Sequence, residues 1–121
     1  MTLPATVTIV DKPFAVWPTY SRNLGREGSL NRDVQGIVLY YDRRTTNSEM
    51  LDTLLHEYVE AWAMMMCIHY RGQGGDNIVI TLNHTHVIAL ASALAGITAS
   101  ILTANGGGYD PLAPYAPKVK P

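Results

Sequence analysis

Three residues in this chain combine the side-chain types and spacing that chemistry needs: His56, Glu57 and Glu60. They lie in the run Thr53 to His69, TLLHEYVEAWAMMMCIH, whose apolar spacing is that of a helix. With roughly 3.6 residues per turn, side chains four apart sit only about 40° apart around the axis. His56 and Glu60 therefore leave one face, one turn apart, and are placed to grip one metal ion. Glu57 projects from the flank of that face. This is the layout of the HExxH zinc helix with its second histidine replaced by a carboxylate. Zn2+ accepts imidazole nitrogen and carboxylate oxygen alike, so the replacement is chemically permissible. In such a site Glu57 is the general base: water on the metal has its pKa lowered toward about 7, and a neighbouring carboxylate takes its proton as it attacks a carbonyl.

A hydrolytic zinc site needs a third protein ligand and one open position. His69 lies about 20 Å farther along if the same helix continues, too far to share the ion. His84 and His86 remain, at the start of a second helical run. In an extended segment the two share a face, while at a helix start they point about 200° apart, so both do not easily serve. Asp52, one turn before His56, has two readings: acceptor for the ligand's second ring nitrogen, or the ordinary acidic charge of a helix start, which is the plainer one. The plain alternative for the whole trio is a polar helix face, since HExxE is a short pattern.

The elements that must position these groups follow from the pattern. Thr6 to Val10 alternates and is β-branched, a strand; Asp11-Lys12-Pro13 is turn chemistry; Phe14 to Trp17 resumes an extended pattern, giving a β-hairpin. Pro18 to Arg32 is polar and reads as a loop with solvated charges (Arg22, Arg26, Glu27, Arg32). GIVLYY, Gly36 to Tyr41, is a third strand. Thr46-Asn47-Ser48-Glu49 forms a capping box, so the main helix starts near Asn47, and the glycine run after Arg71 ends it. Asn77 to Thr81 reads as a short strand or extended loop. A second helix runs from about Thr85 to Thr103 and is stopped by Gly106 to Gly108. Val87 to Leu102 carries no charge, and its sixteen residues fall short of the about 20 that a membrane span requires. A helix buried on several sides is the expectation, with Ala91, Ala95 and Ala99 offering a small-residue face to another copy of the chain. Residues 1–105 form one domain. Residues 106–121 are a Gly/Pro-rich tail, either disordered or laid against a partner.

Composition sets the bounds. The 121 residues make one domain with a modest core. Nine basic against ten acidic residues give no electrostatic case for nucleic acid or an anionic membrane. The lone Cys67 excludes an internal disulfide, fits a reducing compartment, and in an apolar helix reads as a buried thiol. MTLPATVTIV is not a secretion signal, so the expected location is cytoplasmic.

The segment Gln35 to Trp62, QGIVLYYDRRTTNSEMLDTLLHEYVEAW, resembles the core of small zincin-like metallopeptidase proteins of phage and prophage type. In these a strand precedes a helix of the form LLHE with Glu or His three residues later. LNHTHVIALASAL, Leu82 to Leu94, resembles their second helix, and VTIVDKPFAVW their opening strands. The resemblance covers roughly residues 6–103. It implies an α+β fold: a small antiparallel sheet, made of the hairpin and a third strand, followed by two packed helices. It also implies His56, Glu60 and His84 as Zn2+ ligands, with His86 a competitor for the third position, Glu57 as base, and a peptide or protein substrate. The stretch RGQGGDNIVIT between the helices is longer than the family pattern. The competing expectation is a non-enzymatic phage accessory or virion protein that keeps the fold, with phage proteins as partners and the second helix and tail serving assembly.

Overall fold

The computed structural model describes residues 1–22, 28–31, 35–66, 69–71, 78–80, 82–106 and 108–117. The chain is α+β: strands β1 (Thr6–Ile9), β2 (Lys12–Tyr20), β3 (Gly28–Asn31) and β4 (Gly36–Tyr41), helix α1 (Asn47–Met65), a small hairpin of β5 (His69–Arg71) and β6 (Ile78–Ile80), and helix α2 (His84–Asn105). The first four strands form one sheet in the order β1-β2-β4-β3. It is mixed, not antiparallel throughout. β1 pairs with β2 and β3 with β4 antiparallel, but β2 and β4 run parallel, with Val16 opposite Ile37 and Tyr20 opposite Tyr41. The run expected to be a loop holds the end of β2 and all of β3. Gly28–Asn31 lacks the alternation that announces a strand, and its pairing with β4 is what holds it extended.

One face of the sheet is apolar. Val7 and Ile9 of β1, Phe14 and Val16 of β2, and Ile37 and Leu39 of β4 are buried under α1. Their period-two spacing puts them on a single side. Helix α1 answers with Met50, Leu54, Tyr58, Ala61 and Trp62, at the three- and four-residue spacing of a helix stripe. Tyr58 fixes the crossing by donating its hydroxyl to the Thr8 carbonyl at 2.9 Å. The helix begins where its capping box requires: Glu49 N–H donates to Thr46 Oγ1 at 3.2 Å, and Thr46 N–H donates to Glu49 Oε2 at 2.9 Å.

Three expectations change. Helix α1 ends at Met65, and His69–Arg71 pairs as a strand with Ile78–Ile80, so His69 is not on the helix; Cys67 lies outside the described residues. Helix α2 is longer than expected and mostly uncovered. Only Ile97 and Ile101, one turn apart, are buried, while Val87, Ile88 and Leu102 are exposed. On length and composition this 22-residue helix is apolar enough to cross a membrane, and little of it is buried.

The tail, finally, packs on its own domain. Asn47 and Ser48 N–H donate to the carbonyls of Ala113 and Pro111 at 2.9 and 3.0 Å, Tyr115 N–H donates to Thr45 O at 2.7 Å, and Tyr115 is buried against Tyr41. The first amides of a helix lack intrahelical acceptors, and the tail supplies two of them.

Candidate metal centre

The sheet holds α1 by its apolar stripe, which fixes what the flanks present. Going around the axis at about 100° per residue, Glu57 falls at the edge of the stripe, and Glu60 and His56 fall beyond it toward solvent. Exposure follows that order. Glu57 is 6% exposed, Glu60 is half-buried, and His56 is open to solvent. His56 Nε2 and Glu60 Oε1 stand 3.3 Å apart. With Glu57 they offer one nitrogen and two carboxylate oxygens, all within 4.8 Å of one another.

That geometry can be set against zinc. Two ligand atoms about 2.0–2.1 Å from a tetrahedral ion stand about 3.3–3.4 Å apart. The His56–Glu60 separation matches that edge, and imidazole with carboxylate is a donor set zinc takes. The same distance also suits an i, i+4 His–Glu contact with no ion between.

Glu57 is held above the ordinary carboxylate pKa of 4.5. Burial is the main cause, the charge of Glu60 adds to it, and His56 opposes it. A carboxylate shifted in this direction is a stronger proton acceptor when ionised, which is what a general base needs.

The other predicted residues are elsewhere. His84 is the first residue of α2, exposed, and outside the metal-competent group of the described residues. His86 is committed to capping α2: its backbone N–H donates to Asn83 Oδ1 at 2.9 Å, and its Nδ1 accepts from Asn83 N–H at 3.3 Å. Its ring also meets Trp62 edge-on at 6.1 Å. Trp62 and Glu60, two residues apart, point about 200° from each other around α1. The start of α2 is thus anchored on the opposite flank of α1 from the His56–Glu60 pair. Asp52 is exposed one turn before His56.

Two cavities of about 520 and 550 Å3 lie away from this trio. One is at the ends of β2 and β4, the other between β1 and α2. Sequence reasoning did not single out the arginines that line the first, because Arg22 and Arg43 are far apart along the chain. Neither a protein-family description, nor a curated protein, nor a solved structure matches the chain.

Proposed function

We propose that the chain is a small zinc-dependent hydrolase of the zincin-like, phage-type kind, acting on a peptide or protein. The observation that carries this is the His56–Glu57–Glu60 group on one flank of α1, with its 3.3 Å ligand pair beside a buried carboxylate. His56 Nε2 and a Glu60 oxygen would hold the ion. Bound there, zinc would supply Lewis acidity and a water acidified to near neutrality. Glu57, its pKa raised by burial, would be the residue that takes up a proton from that water. The third ligand is assigned by resemblance to His84, with His86 the competitor; the reading requires the start of α2 to move toward Glu60.

The test is zinc content by elemental analysis together with cleavage of a peptide library. One zinc per chain is expected, lost in His56→Ala and Glu60→Ala. Glu57→Gln should keep the metal and lose at least about 100-fold in rate. Zinc loss in His84→Ala but not in His86→Ala would identify the third ligand. A chain that takes up no zinc ends the proposal.

A second reading has its own observation in favour. The exposed apolar side chains of α2, Val87, Ile88 and Leu102 among them, suit a non-enzymatic accessory or virion protein that assembles through this helix. Zinc uptake with no peptide cut would favour it.

A further inference from the structure

Strand β1 ends its sheet, so one of its two edges has no strand beside it. Which backbone groups lie on that edge follows from the register. Thr6 stands opposite Ala15, which sets Ala5 opposite Val16, and Val16 N–H donates to the Ala5 carbonyl at 2.9 Å. Along an antiparallel pair, residues alternate between bonding to the partner and facing away from it. Val7 and Ile9 therefore bond to β2, while Thr6 and Thr8 turn their N–H and C=O groups outward. Thr8 is opposite Pro13, which has no N–H to give, and its carbonyl accepts instead from the Tyr58 hydroxyl of α1 at 2.9 Å. The Thr6 N–H, the Thr6 carbonyl and the Thr8 N–H are left with no strand to pair with among the described residues. Strand edges recruit other chains and are commonly blunted by a lysine, a proline or a bulge. Thr-Val-Thr-Ile has none of these, and all four residues are β-branched.

This edge borders the groove of about 550 Å3 whose opposite wall is α2. Thr6 and Thr8 line one side, and Ser92, Gly96 and Ser100, each one turn from the next, line the other. Tyr58, Trp62 and Ile97 complete the lining with buried apolar surface. The α2 wall is set back. Nothing stands within 4 Å of where a Cβ on Gly96 would lie, and the Ser100 hydroxyl donates to the Gly96 carbonyl at 3.0 Å. Room, an apolar lining and unpaired backbone groups at strand spacing together specify an extended polypeptide. Such a chain presents an N–H and a C=O to its neighbour at every second residue and points its side chains alternately to either face. A compact apolar molecule would fill the volume and leave the backbone groups of Thr6 and Thr8 unmet.

We propose that the groove between β1 and α2 takes an extended segment of another protein, added to the sheet as a strand beside β1, with apolar side chains at alternate positions against Trp62 and Ile97. The groove lies away from His56, Glu57 and Glu60, so the proposal is independent of the metal centre. It is tested by fluorescence anisotropy, titrating the full chain into a labelled, end-capped peptide that alternates Val with Thr and carries a Lys at each end. A chelator is present so that no metal-dependent cleavage contributes. Saturable binding with a Kd of about 0.1 mM or tighter is expected. Gly96→Leu fills the groove from the α2 wall and removes a helix-weakening glycine, so it should keep the melting temperature and weaken binding about tenfold or more. Of two peptides methylated on alternate sets of backbone nitrogens, one should lose binding and the other keep it, because only one edge pairs with β1. Hydrogen exchange should show the Thr6 and Thr8 amides gaining protection in the complex. Absence of saturation at about 1 mM protein, undiminished binding by Gly96→Leu, or equal binding of the two methylated peptides overturns the proposal. Protection of the Thr6 and Thr8 amides that rises with protein concentration and needs no peptide would make the occupant a second copy of this chain and overturn it as well.

Discussion

Glu57 shows how one side chain is set by the helix it sits on. It belongs to the polar trio by chemistry and to the core stripe by angle, so it is a buried acid. Its pKa is raised in the folded chain, which means the fold binds that proton more tightly than the unfolded chain does. Stability linked to it is complete below the ordinary value of 4.5 and declines as pH rises through the higher folded value. Glu57→Gln should therefore raise the melting temperature at pH 7 and leave it unchanged at about pH 3.5, measured by thermal unfolding across that range. A Tm equal to the unmodified protein at both pH values would show that Glu57 is better solvated than its burial implies. The trio itself was legible in the sequence because i, i+4 geometry is local. The fate of His86 was legible only in part: its capping partner Asn83 is three residues away, but its ring partner Trp62 is supplied by another element.

At the scale of elements, local chemistry announced what it controls. The Thr46–Glu49 box placed the start of α1 correctly, since capping is satisfied within four residues. The end of α1 and the reach of β2 were misplaced, because each is decided by a pairing partner. The hairpin turn is tighter than the Asp11-Lys12-Pro13 reading: Val10 and Asp11 are its two central residues, with φ of 47° and 66°, and Ile9 pairs with Lys12. Two-residue turns with positive φ favour Asn or Gly, and a β-branched residue there is strained. Val10→Asn should stabilise the protein by about 1 kcal/mol, read by chemical denaturation. Any loss of stability would mean that Val10 contributes more by covering the groove beside β1, which it also lines.

The whole molecule is closed by its tail. Residues 108–117 return to the start of α1, and Tyr115 is driven between Tyr41 and the core. Burial, then the neighbouring Tyr41, pushes the Tyr115 phenol up to about 12. The sign is the same as for Glu57: the contribution is whole below pH 10 and is lost as pH rises through about 12. Tyr115→Ala should cost about 3 kcal/mol or more, through lost burial and the cavity left behind. Hydrogen exchange should show the Asn47 and Ser48 amides losing protection in that variant. A cost under about 0.5 kcal/mol would mean the tail is carried along by the domain without holding it together.

By itself the sequence determined the α+β class, the hairpin, the capped start of α1 and the face that joins His56 to Glu60. All of these are set by periodicity or by contacts within a few residues. Only the tertiary structure decided the parallel pairing of β2 with β4, the docking of α2 through Ile97 and Ile101, the return of the tail, and the separation of His84 and His86 from the trio. Those depend on which distant segments bury surface and share hydrogen bonds. Residue spacing along one segment carries no record of a partner that comes from another.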